Sequence, residues 1–303
     1  MPGRRSAVGA ASAMLSAFFL AFLLATSAWP RMHSGPNMLE AGHRLAGAIA
    51  PLDGGGSLAS PAAAYGLRRL KSSYTGPGIK LRRTTGGTQD INFLGFTGFT
   101  GAPLDTAAAN AFCASTTCFV DTWYDQSGNA RHATQATTAN QPAFVFNCTG
   151  TLPCVQTTGA AQGIGVSVLG GGVGAQSFSA VALEAAPTGC IWIAAVNNRF
   201  IAGGTGSLWQ VDNSAVGVNT PISLGVWHAG SGVVNGAGSV INVDGVEVTG
   251  TVAVDATSGG SVYQFFGAGG CSETEAVWWN TYALTAGERA ALRNNQKSFW
   301  NTP

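Results

Sequence analysis

The chain has 303 residues, 46% of them hydrophobic and only 10% charged, with a formal net charge of +1. That is enough apolar content for one substantial core, and the length allows one or two domains. The charge balance offers neither a basic stripe for nucleic acid nor an acidic tail, and 43 glycines among short β-branched runs favour an extracellular all-β domain over a helical cytosolic enzyme.

The N-terminus reads as an export signal. Arg4 and Arg5 precede an apolar run over residues 7–24, and Ala25-Thr26-Ser27-Ala28 supplies the small residues of a cleavage site. Residues 1–28 are therefore expected to be a signal peptide, with an uncleaved membrane anchor as the alternative. Residues 29–60, rich in Gly, Pro, Ser and Ala, read as a flexible linker with one short helix near 37–50. The folded domain is expected over 61–303.

Within it, Pro61 followed by an alanine run predicts one or two helical turns over 61–70. Residues 79–83 alternate apolar and basic, a strand with one solvated face, and a turn at 84–89 returns the chain as a second strand at 90–93. Residues 104–112 have helical spacing, with Asp105 near the start, where a negative side chain suits the helix dipole. Residues 118–124 form a strand. From 143 onward short apolar segments alternate with Gly-rich turns, giving strands at 143–146, 163–168, 178–183, 190–196, 207–211, 225–229, 239–243, 246–249, 261–266 and 275–282. Asp244-Gly245 is a hairpin turn signal between two of them. A closing helix at 284–300 starts with Thr285 as N-cap and Glu288 three residues on, a capping box. This pattern predicts an all-β fold: a jelly-roll sandwich of two antiparallel sheets with a few short helices.

Six cysteines, an even number in a chain read as exported, point to disulfides. Cys113 with Cys118 and Cys148 with Cys154 are the local pairs, which leaves Cys190 with Cys271. No CxxC doublet or HxxxH spacing supports a metal site, and no cofactor is implied.

The most specific stretch runs from Phe112 to Pro142. Two cysteines five positions apart lead into an aromatic strand and then the polar turn Tyr124-Asp125-Gln126-Ser127-Gly128. Together with Ser73-Tyr74-Thr75-Gly76-Pro77 and Arg82-Arg83, these residues resemble the catalytic domain of the arabinofuranosidase B family, glycoside hydrolases that remove L-arabinofuranose from plant polysaccharides. The closing sequence EAVWWNTYALTAGERAALRNNQKSFW resembles the last strand and helix of laminin-G-like, concanavalin-A-like domains. The two resemblances imply the same concanavalin-A-like sandwich. The family's additional C-terminal arabinose-binding trefoil domain is expected to be lacking.

The resemblance implies a search for two carboxyl groups, one acid/base and one nucleophile. The family's nucleophile is a glutamate followed by asparagine at a strand end, and Asp212-Asn213 matches that pair with a shorter acid; a β-turn is the alternative reading. The family's acid/base is an aspartate directly after Gly-Gly. Cys271 stands there, after Gly269-Gly270, and Glu273 is the nearby substitute, while Glu275 matches a structural glutamate of the last strand. Glu273 and Glu275, two apart, are expected on one face. The family's vicinal disulfide in the sugar pocket is reduced here to Gly189-Cys190. Asp212 and Glu273 are thus the catalytic candidates, and Trp209, Asn213 and Cys190 the substrate-binding ones. Trp209 invites sugar stacking, with core packing as its alternative. The YDQSG turn itself reads as architecture rather than chemistry.

The resemblance implies a secreted or cell-surface, retaining α-L-arabinofuranosidase acting on arabinose-containing polysaccharide. The alternative is a non-catalytic glycan-binding or surface-interaction module. No nucleic-acid partner is expected, and a membrane partner only if the N-terminal segment stays uncleaved.

Overall fold

The computed structural model describes residues 50–53, 58–95, 101–159, 161–166, 174–187, 190–194, 199–202, 207–213, 216–254, 262–267 and 270–303. They fall within one unit, Arg44–Pro303. The expected signal peptide and the helix near 37–50 lie outside the described residues, apart from Ala50. Among the described residues no helix is long and apolar enough to cross a membrane.

Among the described residues, eighteen strands form one hydrogen-bonded network. In chain order they are β1 (Ala63–Gly66), β2 (Ile79–Arg83), β3 (Thr88–Ile91), β4 (Cys118–Trp123), β5 (Ala133–Thr134), β6 (Ala143–Thr149), β7 (Leu152–Thr157), β8 (Gly163–Val166), β9 (Gln176–Glu184), β10 (Cys190–Ala194), β11 (Arg199–Ala202), β12 (Leu208–Asp212), β13 (Gly217–Pro221), β14 (Trp227–Val234), β15 (Gly236–Val243), β16 (Val246–Val252), β17 (Val262–Gly267) and β18 (Cys271–Asn280). The described helices are α1 (Thr106–Phe112) and α2 (Ala286–Trp300), with a short 3-10 turn at Thr138–Asn140.

The pairings resolve into two layers. In the first, β18 carries β1 and β7 on one edge and β9 on the other, and β14, β15 and β16 follow β9. In the second, the order runs β13-β12-β11-β10-β17-β8-β5-β4-β2-β3. The β6–β7 hairpin bridges them, because β6 also pairs with β4. The expected all-β sandwich is the fold observed.

Two cores follow from strand alternation. Between the layers lie Phe178, Trp209, Val211, Ile241, Phe265 and Trp278, with Trp123 and Leu81 further along. On the outer side of the first layer, Val277, Trp279, Val233 and Val240 meet Leu284 and Leu292 from the α2 end. The capping box forms as its residues predict: the Glu288 amide donates to Thr285 Oγ1 and the Thr285 amide to Glu288.

One element differs in type from expectation. Residues 63–66 are a strand, not helical turns. Alanine's helix preference is weak beside tertiary pairing: this segment is fully buried and hydrogen-bonds along β18, with Ala64 opposite Val277. Its other edge is closed by the YDQSG turn. The Gln126 amide donates to Ala64 O at 2.7 Å, and the Ala64 amide to Asp125 Oδ1 at 2.9 Å. The Gln126 side chain donates to Gly66 O and Arg68 O and accepts from the Leu70 amide at 2.7 Å. The turn therefore substitutes for a neighbouring strand, and the architectural reading of YDQSG holds. Gly128, at φ +98°, takes the left-handed conformation that glycine adopts without penalty.

Strands β7, β11 and β13 are not legible in the alternation of the sequence. Inside the stretch expected to be linker, residues 50–53 and 58–60 pack against the domain: the Leu52 amide bonds Leu70 O, Asp53 Oδ2 accepts from Ser72, and Trp279 Nε1 donates to Ala59 O. The two local disulfides are present, Cys113–Cys118 and Cys148–Cys154. Cys271 is also disulfide-bonded; the side chain of its expected partner, Cys190, lies outside the described residues.

Candidate functional site

The catalytic candidates come from different layers. Asp212 is the last residue of β12, opposite Gly217 of β13. Asn213 opens the connecting turn, its Oδ1 accepting from the Val216 amide at 2.9 Å, so the pair does turn work whatever else it does. Along β12 the side chains alternate. Trp209 and Val211 point inward to the core, whereas Gln210 and Asp212 share the other face, joined by a 2.9 Å bond from Gln210 Nε2 to Asp212 Oδ2. Asp212 is nonetheless buried.

Glu273 sits on β18 opposite Ala182 of β9, and Glu275 opposite Val181. Residues directly opposed across a pair share a face, and Ala182 and Val181 are successive, so they face opposite ways. A β-bulge at Thr274 produces this reversal. The expectation that the two glutamates share one face is therefore corrected. Glu273 projects into the space between the layers, and Glu275 toward α2. There Glu275 accepts from Arg68 Nε at 2.8 Å, Gln296 Nε2 at 2.9 Å and Trp300 Nε1 at 2.9 Å. This is the buried anchor of the closing helix, as expected of a structural glutamate.

By strand alternation Asp212 lies on the outward face of the second layer and Glu273 on the inward face of the first. Trp209 is fully buried, its ring against Gly230, and presents no face on which a sugar could stack. The side chain of Cys190 and residues 188–189, 214–215 and 268–269 lie outside the described residues.

The sequence reading passed over a polar cluster between the layers. Glu184, the last residue of β9, is buried at 0% exposure, and its Oε1 accepts from Trp209 Nε1 at 2.9 Å. Among the described residues its Oε2 has no hydrogen-bond partner. Burial pushes this carboxyl up to about 7, against the Trp209 bond and the nearby His228 charge, which favour ionisation. His228 on β14 lies edge-on to the Trp209 ring, centroids 6.0 Å apart. Its Nδ1 meets Asp244 Oδ2 at 2.5 Å and its Nε2 the Ser223 carbonyl at 2.9 Å. Both acceptors call for a donated proton, the arrangement of an imidazolium. Burial works to lower its pKa, but the bonds to Asp244 and Ser223 O and the charges of Asp244 and Glu184 prevail and raise it. Asp244 has a second task beside the predicted hairpin turn, where it stands at φ +50° before Gly245 at φ +97°. The one sequence signal for the cluster was a glutamate in phase with Ala180 and Ala182 at the end of an otherwise apolar strand.

The architecture defines a class first: an all-β, concanavalin-A-like sandwich. Residues 54–190 match the family model described as α-L-arabinofuranosidase B, catalytic, and over that stretch the chain is similar to that family. A probable α-L-arabinofuranosidase B of Aspergillus terreus is 43% identical over 70 residues, 23% of this chain and 13% of that one. An α-L-arabinofuranosidase of Hypocrea jecorina is 38% identical over 111 residues, 35% of this chain and 21% of that one. The matches thus span a minor part of the curated relatives' length. Among solved structures, an arabinofuranosidase complexed with arabinofuranosyl-α-1,2-xylobiose superposes with a TM-score of 0.65 at 19% identity, covering 83% of this chain and 65% of that one. An α-L-arabinofuranosidase soaked with a cyclic sulfate inhibitor gives 0.63 at 19% identity, covering 78% and 63%. At that identity the superpositions establish the fold.

Proposed function

We propose that this protein is a secreted glycoside hydrolase of the α-L-arabinofuranosidase type, releasing terminal L-arabinofuranose from arabinose-containing polysaccharide. The observation that carries this reading is the match of residues 54–190 to the arabinofuranosidase B catalytic family, on a sandwich of the same fold as the solved arabinofuranosidases. The N-terminal apolar run with small residues after it supports export.

In the proposed mechanism Asp212 is the nucleophile of a retaining pair, and Glu273 is the acid that the sequence offers for it. Such carboxyls stand about 5–5.5 Å apart. Asp212 fits its part by position: it ends a strand and precedes Asn213, as the family's nucleophile does. Glu273 fits less well, because its side chain points between the layers.

That placement favours a second reading, a glycan-binding module whose catalytic pair has been lost. A substrate panel separates the two. Incubated with arabinan and arabinoxylan, a hydrolase releases free L-arabinose. A binding module releases none, yet is retarded in affinity gels containing those polymers. Neither release nor retardation by the folded protein would remove both readings.

A further inference from the structure

Glu184 is the buried acid for which neither the fold nor the proposed mechanism accounts. A carboxylate held between two apolar layers with one oxygen unpaired is costly, since buried charge must be paired and hydrogen-bonded. The geometry removes most of that cost in one way. Oε1 accepts from Trp209 Nε1, so Oε2, without a partner among the described residues, is the oxygen left to carry a proton. The group is then a neutral acid accepting one bond across the layers.

The bond joins the first layer to β12, and Trp209 has little room to move. A Cβ placed on Gly230 would collide with its ring, and His228 closes its edge. Asp212 lies three residues further along the same strand, about 10 Å at the usual rise. We propose that Glu184 is a positioning residue: in its neutral form it clasps β12 to the first layer through Trp209 and so fixes the Asp212–Asn213 turn. The functional half rests on the reading of that turn as part of the site; the clasp itself rests on the geometry alone.

Among the described residues, His228 on β14 is the charged group that acts on Glu184, Glu273 on β18 shares its face of the sheet, and Asp244 in the β15–β16 turn bonds His228. Cys271, directly opposite Glu184 on β18, is disulfide-bonded and does not titrate. The facing strand β12 contributes only Trp209 and Val211. Loss of the Glu184 proton places a charge beside Glu273, its diagonal neighbour at about 7–8 Å between Cα atoms, while His228 is held by Asp244.

The test uses the full chain labelled with 13C at the glutamate carboxyls, of which there are six. One carboxyl resonance is expected to titrate near pH 7 and to be missing from Glu184→Gln. Titration of every glutamate in the ordinary acidic range overturns the clasp. Glu184→Gln keeps an acceptor for Trp209 and is expected to hold the parent's melting temperature at about pH 4.5, where Glu184 is protonated, whereas Glu184→Leu lowers it; equal loss in both overturns the hydrogen-bonded role. If the leucine variant does not fold, the parent's titration still decides. For the positioning role, kcat/KM on p-nitrophenyl α-L-arabinofuranoside is expected to fall above about pH 7 in the parent, and Glu184→Gln is expected to lack that limb. A parent profile flat through 7, beside a carboxyl that titrates there, overturns positioning. A parent with no turnover counts against the hydrolase reading and leaves the clasp to be judged by the resonance.

Discussion

Glu273 and Glu275, two residues apart on β18, project from opposite faces of the sheet because a β-bulge intervenes. One face looks into the sandwich core, the other onto α2. The bulge thereby separates a candidate for chemistry from an anchor for structure, although both side chains are fully buried.

The anchor predicts a large stability effect. Glu275 accepts three bonds, from Arg68, Gln296 and Trp300, and the Arg68 guanidinium lies 4.6 Å from the Phe299 ring centroid. Arg68→Ala removes one partner and leaves a buried carboxylate short of charge compensation. A loss of about 3–5 kcal/mol is expected in urea denaturation. Replacing Arg68 and Glu275 together by apolar residues of similar volume is expected to cost less than the single change.

The YDQSG turn predicts a comparable loss from a neutral side chain. Gln126→Ala strips partners from the Leu70 amide and from the Gly66 and Arg68 carbonyls. Buried backbone groups left unpaired cost about 1–3 kcal/mol each, so a loss of about 3 kcal/mol is expected after partial rearrangement. A denaturation midpoint within error of the parent's would show that β1 does not depend on the turn.

Glu184 gives stability a definite pH dependence. Its folded value, about 7, lies above the ordinary 4.5. The folded state therefore holds the proton more tightly than the unfolded chain. This contribution is fully present below about 4.5 and is lost as pH rises to about 7. The difference corresponds to about 3 kcal/mol at most. His228, also raised, acts in the same sense, so the comparison must be between parent and Glu184→Gln. The parent's stability is expected to decline more steeply between pH 4.5 and 7, as followed by thermal melts.

The helix cap works in the opposite direction. Burial tends to raise the Glu288 carboxyl, but the bonds from Tyr282 and Thr285 and the charge of Arg289 outweigh it and lower its pKa. Its contribution is present above the ordinary carboxylate range and is lost as pH falls through the lowered value. Thr285→Ala is expected to cost about 1 kcal/mol at neutral pH and less in acid, where the box is already weakened.

Most of the architecture was legible because alternation and turn chemistry act locally. The Asp244-Gly245 hairpin, the Thr285–Glu288 box, Asp105 as cap of α1 and two disulfides all follow from residues close in sequence. Long-range partners overturned two expectations. Ala63–Gly66 became a strand because β18 and the YDQSG turn bond both its edges, and Glu273 changed face because of a bulge that no residue pattern announces. The Glu184–Trp209 contact was illegible for the same reason, since β9 and β12 meet only when the layers stack. His228, isolated in the sequence, acquires its role from Asp244, sixteen positions away.

The most direct measurement is p-nitrophenol release from p-nitrophenyl α-L-arabinofuranoside by the purified protein, beside Asp212→Asn and Glu273→Gln. The account predicts turnover by the parent and a fall of at least about 100-fold in Asp212→Asn. A comparable fall in a folded Glu273→Gln would support the carboxyl pair despite its separated faces. Absence of turnover in a folded parent would contradict the hydrolase and leave a glycan-binding sandwich.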